Sequence, residues 1–162
     1  MDPGRRGAAL LATSAAVVYV VDRATKVWAE RSLQGRAPMK VIPGILDFRF
    51  TTNSGGAFSI GRSAPLLFVG ATAIVSLLIV ATAFRHRGAV TACALGAVLG
   101  GALGNLTDRA LRGSGLRGEV VDFIDLHFWP VFNVADSAIV LGALVLAVVS
   151  ARRDGGSQGD AG

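Results

Sequence analysis

The sequence predicts an all-α membrane protein: a four-transmembrane-helix bundle with a small extramembrane β element and a short helix or lid loop outside the membrane. Three observations predict it. The chain has 162 residues, of which 52% are hydrophobic and only 17% charged, with a mean hydropathy of +0.55; soluble domains carry roughly 25% charged residues. Four apolar runs are long enough, or nearly so, to cross about 30 Å of hydrocarbon as helices. Polar residues that are costly in lipid gather at one end of those runs.

The first run follows Arg5 and Arg6 as "GAALLATSAAVVYVVD". Its basic start and short apolar core are like a signal peptide, but "VVYVVDR" has no small-residue cleavage site, so it reads as a retained helix over residues 7–28, ending near Trp28. The second, residues 63–84, is uncharged and stops at "RHR", Arg85 to Arg87. The third, residues 88–107, contains Gly96, Gly100 and Gly104 at a spacing that gives one helix face a smooth strip for a neighbouring backbone. The fourth, residues 131–150, stops at Arg152 and Arg153. Residues 1–151 thus read as one membrane-embedded domain, and the polar tail 152–162 as disordered.

Two connections remain. Residues 29–62 include "MKVIPGILDFRFTTNSGGAFSI", where Val41, Ile42, Ile45, Phe48, Phe50 and Thr51 are strand formers punctuated by Pro43, Gly44 and the pair Gly55 and Gly56. A small β element is expected there. Residues 108–130 begin with a short helix or turn before Gly113 and a glycine-rich stretch to Gly118.

The formal charge of +5 and pI near 10.6 do not indicate nucleic acid, because the basic residues lie scattered between apolar runs as membrane-flanking anchors. Cys93 is the only cysteine and sits in an apolar run, and His86 and His127 are the only histidines. Neither a disulfide framework nor a metal site is expected. Orientation is less plain. Arg5, Arg6, Arg85, Arg87, Arg152 and Arg153 flank the side that holds both termini, but the longer loops opposite carry more basic residues, and a bare positive-inside count would put the termini outside.

If the helices are antiparallel, the two loops share one membrane face. That face then collects Asp22, Arg23 and Lys26, Asn53, Asn105, Asp108 and Arg109, and Asp122, Asn133 and Asp136. A carboxylate in a span costs about 2.5–3.5 kcal/mol at its centre, and Asp136 lies about one turn inside the fourth run. Asn133 and Asp136, three apart, share one helix face. Each residue also has a structural reading. Asp22 with Lys26 is an i, i+4 ion pair, Asn53 before glycines fits a turn, and Asp108 with Arg109 fits a clamp at a helix end. Two aspartates that meet would share one proton, the ionised one taking a proton from water and the protonated one polarising a carbonyl. A serine–histidine pair, a metal cluster and a phosphate-binding loop have no counterpart in this sequence.

The motifs "DRATK" (Asp22 to Lys26), "TNSGGAFS" (Thr52 to Ser59), "GGALGNLTDR" (Gly100 to Arg109), "VVDF" (Val120 to Phe123) and "FNVADS" (Phe132 to Ser137), in this order, resemble those of bacterial lipoprotein signal peptidase, or signal peptidase II. The resemblance covers almost the whole chain. It implies an aspartic endopeptidase of the cytoplasmic membrane with its site at the outer face, both termini cytoplasmic and no cofactor. The implied substrates are diacylglyceryl-modified prolipoproteins, cleaved just before the lipidated cysteine, and the implied partners are membrane lipids, with the enzyme a monomer that binds no nucleic acid. By motif position Asp122 and Asp136 match the catalytic pair, and Asp22, Asn53, Asn105, Arg109 and Asn133 match residues that surround it or position substrate. Asp108 matches a supporting position. Gly56 stands where the family usually has alanine, and the stretch from Arg109 to Asp122 is longer than the family pattern. Two rival readings are a scaffold or transport subunit using Asp22 and Asp136 as a proton relay, and a Ser-Lys protease pairing Ser59 with Lys26 or Lys40.

Overall fold

A computed structural model describes residues 2–54, 65–85, 88–113 and 116–157. Gly55 to Ala64, with Gly56 and Ser59, therefore lies outside the described residues. Among the described residues, four helices and three strands follow in the order α1 (Pro3–Leu33), β1 (Met39–Ile42), β2 (Leu46–Asn53), α2 (Pro65–Ala81), α3 (Ala89–Leu111), β3 (Val120–Asp125) and α4 (Val134–Ser157).

Among the described residues, three helices are long and apolar enough to cross a membrane: Pro3–Leu33, Ala89–Leu111 and the Val134–Arg152 part of α4. Helix α2, with 17 residues, is shorter than these. The run that suggested a helix to Phe84 breaks early because Ala83 and Arg85 turn to i−3 carbonyls, those of Val80 and Thr82. Helix α1 begins earlier than expected, with Asp2 accepting from Arg5 N at 3.3 Å and Pro3 at a position that needs no amide hydrogen. Helix α4 begins at Val134, not 131, and continues to Ser157, so part of the tail expected to be disordered is helical.

Helix α3 is the centre of the bundle, packed between α1 and α4 and more sparsely against α2. Its glycines are the reason. A Cβ added at Gly96 would lie 2.3 Å from Leu11 O, and one at Gly100 would lie 2.4 Å from Ala15 O. On the adjacent face a Cβ at Gly101 would lie 2.5 Å from Ala135 O. Only a bare backbone allows both neighbours this close. A small apolar cluster of Leu11, Ala15, Ile79 and Leu99 joins α1, α2 and α3.

The expected β element is present and larger than the loop that suggested it. Strands β1 and β2 form a hairpin whose turn has Pro43 followed by Gly44 at φ 77°, with Ile45 N bonded to Ile42 O at 3.0 Å, as Pro-Gly turns with a left-handed second residue do. Strand β3 completes an antiparallel sheet of order β1-β2-β3, with Thr51 opposite Asp122 and Asn53 opposite Val120. Among the described residues of the stretch 108–121 there is no helix separate from α3. Asp108 to Leu111 finish α3, Val120 starts β3, and Gly118 N folds back onto Arg109 O at 3.1 Å. Ser114 and Gly115 lie outside the described residues.

The sheet rests on the end of α1. Ala29, Leu33, Val121 and Phe123 form its buried core, and Trp28 meets Phe48 and Phe123 edge-on at 5.5 and 5.9 Å. After β3 the chain loops through Pro130 and returns, with Phe132 N on Ile124 O at 3.1 Å. That return starts α4 beside β3.

Candidate active site

Strand β3 is buried on both faces. Val121 and Phe123 point into the cluster under Trp28, so by alternation Asp122 points the other way, toward α3 and α4. Asp122 is 2% exposed. Asn53 pairs with Val120, two residues from Asp122 on the same sheet face, and its amide reaches Asp122 Oδ2 at 3.2 Å.

Asp136 arrives from the first turn of α4. Asn133, just before the helix, accepts from Asp136 N at 2.9 Å, while Asn133 N donates to Asp136 Oδ2 at 3.3 Å. This is a reciprocal cap of the helix end. The cap fixes Asn133 with its oxygen toward Asp136 N, so its amide hydrogens face away, donating to Asp122 Oδ1 at 2.6 Å and to Val121 O at 3.2 Å. One buried asparagine thereby ties both aspartates into one constellation.

From α3, Asn105 donates to Asp136 Oδ1 at 2.9 Å and accepts from Lys26 Nζ at 2.8 Å. Arg109, 9% exposed, lines the same cleft as Asp122 and Asp136. Its Nε has no hydrogen-bond partner among the described residues. The cleft, about 250 Å³, is bounded by Asn53, Asn105, Arg109, Asp122 and Asp136 on one side and by Trp129, Pro130 and Phe132 on the other. An apolar groove of about 360 Å³ adjoins it at Asp136, walled by Leu126, Phe128, Val140 and Leu141.

Asp22 and Asp108 sit behind this arrangement. Asp22 accepts from Ala135 N at 3.0 Å, tying α1 to the start of α4. Asp108 accepts from Val121 N at 3.2 Å, tying α3 to β3, and pairs with Arg23 and Arg112. Both are fully buried. The eight residues that match the family's catalytic and supporting positions therefore lie at one end of the bundle, in two layers: Asn53, Asn105, Arg109, Asp122, Asn133 and Asp136 around the cleft, and Asp22 and Asp108 holding its walls. Sequence reasoning missed the strand that carries Asp122, although the β-branched "VVDFID" was a signal for it.

Burial first, and then the neighbouring Asp136 carboxylate, push Asp122 up from the ordinary 3.8 to about 7, against the amide donors of Asn53 and Asn133. Near neutral pH Asp122 can therefore hold a proton beside a second carboxylate, which is what a proton-sharing acid–base pair requires. For the Ser-Lys alternative, Lys40 lies on exposed β1 and Lys26 is engaged by Asp22, Asp108 and Asn105.

A helical bundle with membrane-length helices and, at one end, a buried carboxylate interacting with a half-buried one has the parts of a membrane-embedded enzyme of the acid–base hydrolytic class. Comparison with known proteins then places it further. The family model for signal peptidase (SPase) II matches residues 14–152, and the chain belongs to that family of aspartic peptidases. It is 39% identical to a lipoprotein signal peptidase of Streptomyces coelicolor over 92% of this chain and 74% of that one. It is 41% identical to that of Rhodococcus jostii, over 87% and 72% of the two chains. A bacterial membrane enzyme solved by the in meso method superposes with a TM-score of 0.78 at 27% identity, over 93% of this chain and 92% of that chain.

Proposed function

We propose that the protein removes the signal peptide from diacylglyceryl-modified prolipoproteins by hydrolysing the bond just before the lipidated cysteine, with Asp122 and Asp136 as its catalytic dyad. The observation that carries this reading is the shared support of the two carboxylates: Asn133 bonds Asp122 at 2.6 Å through its side chain and Asp136 through the helix cap. Asp122, which can hold a proton near neutral pH, hydrogen-bonds the scissile carbonyl oxygen when protonated and passes that proton to it as water attacks. Asp136, held by two donors, takes a proton from the attacking water. The resulting diol collapses as Asp136 gives that proton to the cysteine nitrogen and Asp122 recovers one from the diol, so the dyad returns to its starting state. Arg109 offers positive charge to the oxygen as negative charge develops on it.

Residues 1–151 form one domain that acts as a monomer among membrane lipids, with α2 as a fourth span. Both termini face the cytoplasm, and the sheet and dyad lie at the outer face. The substrate is anchored in the bilayer by its acyl chains and its signal helix, so its scissile bond lies at headgroup depth, the level of Asp136 in the first turn of α4. The apolar groove beside Asp136 gives acyl or signal-peptide side chains somewhere to lie.

The test is cleavage of a diacylglyceryl-modified prolipoprotein by the purified protein in lipid, beside D122N and D136N variants confirmed to be folded. Each variant should lose roughly 10²–10⁴-fold in kcat, the range for a lost acid or base. A variant that keeps most of the parent rate removes its residue from the dyad.

A further inference from the structure

Lys26 belongs to none of the groups placed around the cleft, yet it is fully buried. Its ammonium forms ion pairs with Asp22 Oδ2 at 2.9 Å and Asp108 Oδ2 at 3.0 Å, and donates a hydrogen bond to Asn105 Oδ1 at 2.8 Å. Neutralisation accounts for the first two. The two carboxylates have further partners, since Asp108 also pairs with Arg23 and Arg112, and Asp22 also accepts from Ala135 N. The third contact serves a neutral amide one step from Asp136.

An ammonium only donates, so it admits one orientation of Asn105, oxygen toward Lys26 and NH₂ toward Asp136. Asn133 Nδ2, a second donor 3.3 Å from Asn105 Oδ1, enforces the same choice. We propose that Lys26 is a positioning residue for signal-peptide cleavage, locking the Asn105 amide so that it presents only N–H to Asp136 throughout the catalytic cycle. The inference rests on the dyad reading above. Its consequence falls in the second half of the cycle. Once Asp136 has taken the water proton, an amide free to turn would offer its carbonyl oxygen and hold that proton as O–H···O. Lys26 forbids the turn, so the proton stays available to the leaving nitrogen. The charged and titratable groups around this relay are Asp22 on α1, Asp108 and Arg109 on α3, and Asp122 on β3.

The experiment measures kcat and KM separately for the full-length protein in lipid with a diacylglyceryl-modified prolipoprotein, for the parent, K26M and K26R, with D122N and D136N alongside. In K26M, kcat should fall about 10–100-fold, as when the outer partners of metal ligands are removed, with KM within about threefold of the parent. K26R, which keeps charge and donors, should recover part of that kcat. A folded K26M with the parent kcat, or one in which KM rises while kcat holds, overturns the proposal. If K26M does not fold, K26M/D22N, which removes one charge of each sign, is compared with D22N alone. A comparable fall in kcat supports the lock, whereas equal kcat, or a double variant that also fails to fold, makes Lys26 structural only. The dyad reading fails separately: active D122N or D136N would end it, whereas inactive dyad variants beside an unimpaired K26M would end only the role of Lys26.

Discussion

Asp122 is subject to opposing influences. Burial and Asp136 favour its proton, while the amides of Asn53 and Asn133 favour its charge, and the balance stands at about 7. As pH rises through that value Asp122 loses the proton it offers to the carbonyl, so kcat/KM should fall on the alkaline side with an apparent pKa near 7. Substituting Asn53 by Ala removes a donor to the charged form, so the falling limb should move to higher pH, by up to about one unit, equivalent to about 1.4 kcal/mol. A pH series of kcat/KM for parent and N53A checks both, and a limb that moves to lower pH would refute the assignment. The same raised value bears on stability. Folding takes up a proton between 3.8 and about 7, so the contribution of Asp122 declines as pH rises across that interval and levels off above it.

At the scale of elements, the close approaches to α3 should be sensitive to any side chain. Gly100→Val and Gly101→Val would drive atoms into the carbonyls of Ala15 and Ala135. Each should cost about 1–3 kcal/mol or more by overpacking, read as a lower unfolding midpoint in detergent. Gly70 on α2, where an added Cβ meets nothing within 4 Å, should accept Ala with an unchanged or slightly raised midpoint. The helices and the glycine strip were legible in the sequence because membrane length and a spacing of four are local signals. Asn133 and Asp136 were legible as a pair for the same reason. Strand β3 was not, because Val120 to Phe123 are all buried. A strand covered on both faces loses the alternation that would announce it, and six residues beside an apolar run merge with it. Lys26 was read as an ordinary i, i+4 partner of Asp22, since its burial depends on α3, and tertiary approach leaves no trace in local spacing.

At the scale of the whole molecule, helix α2 with its 17 residues spans about 25 Å, close to the hydrocarbon thickness, and its loose seat on α3 leaves one flank of the bundle lightly packed. The proposed topology puts exposed Lys40 on β1 outside the cell and exposed Arg6 inside. In a C93S background, K40C should react with a membrane-impermeant maleimide on intact cells, and R6C should react only after permeabilisation. The reverse pattern would invert the protein in the membrane. Behind the cleft, the oppositely charged groups Asp22, Lys26, Asp108, Arg23, Arg112 and Glu30 pair with one another, and the central three are out of reach of solvent. Mobile ions cannot enter to screen those central contacts. The geometry behind the dyad is thus decoupled from the ionic strength of the surroundings, so a cell passing from dilute to concentrated medium presents its membrane enzyme with the same internal field.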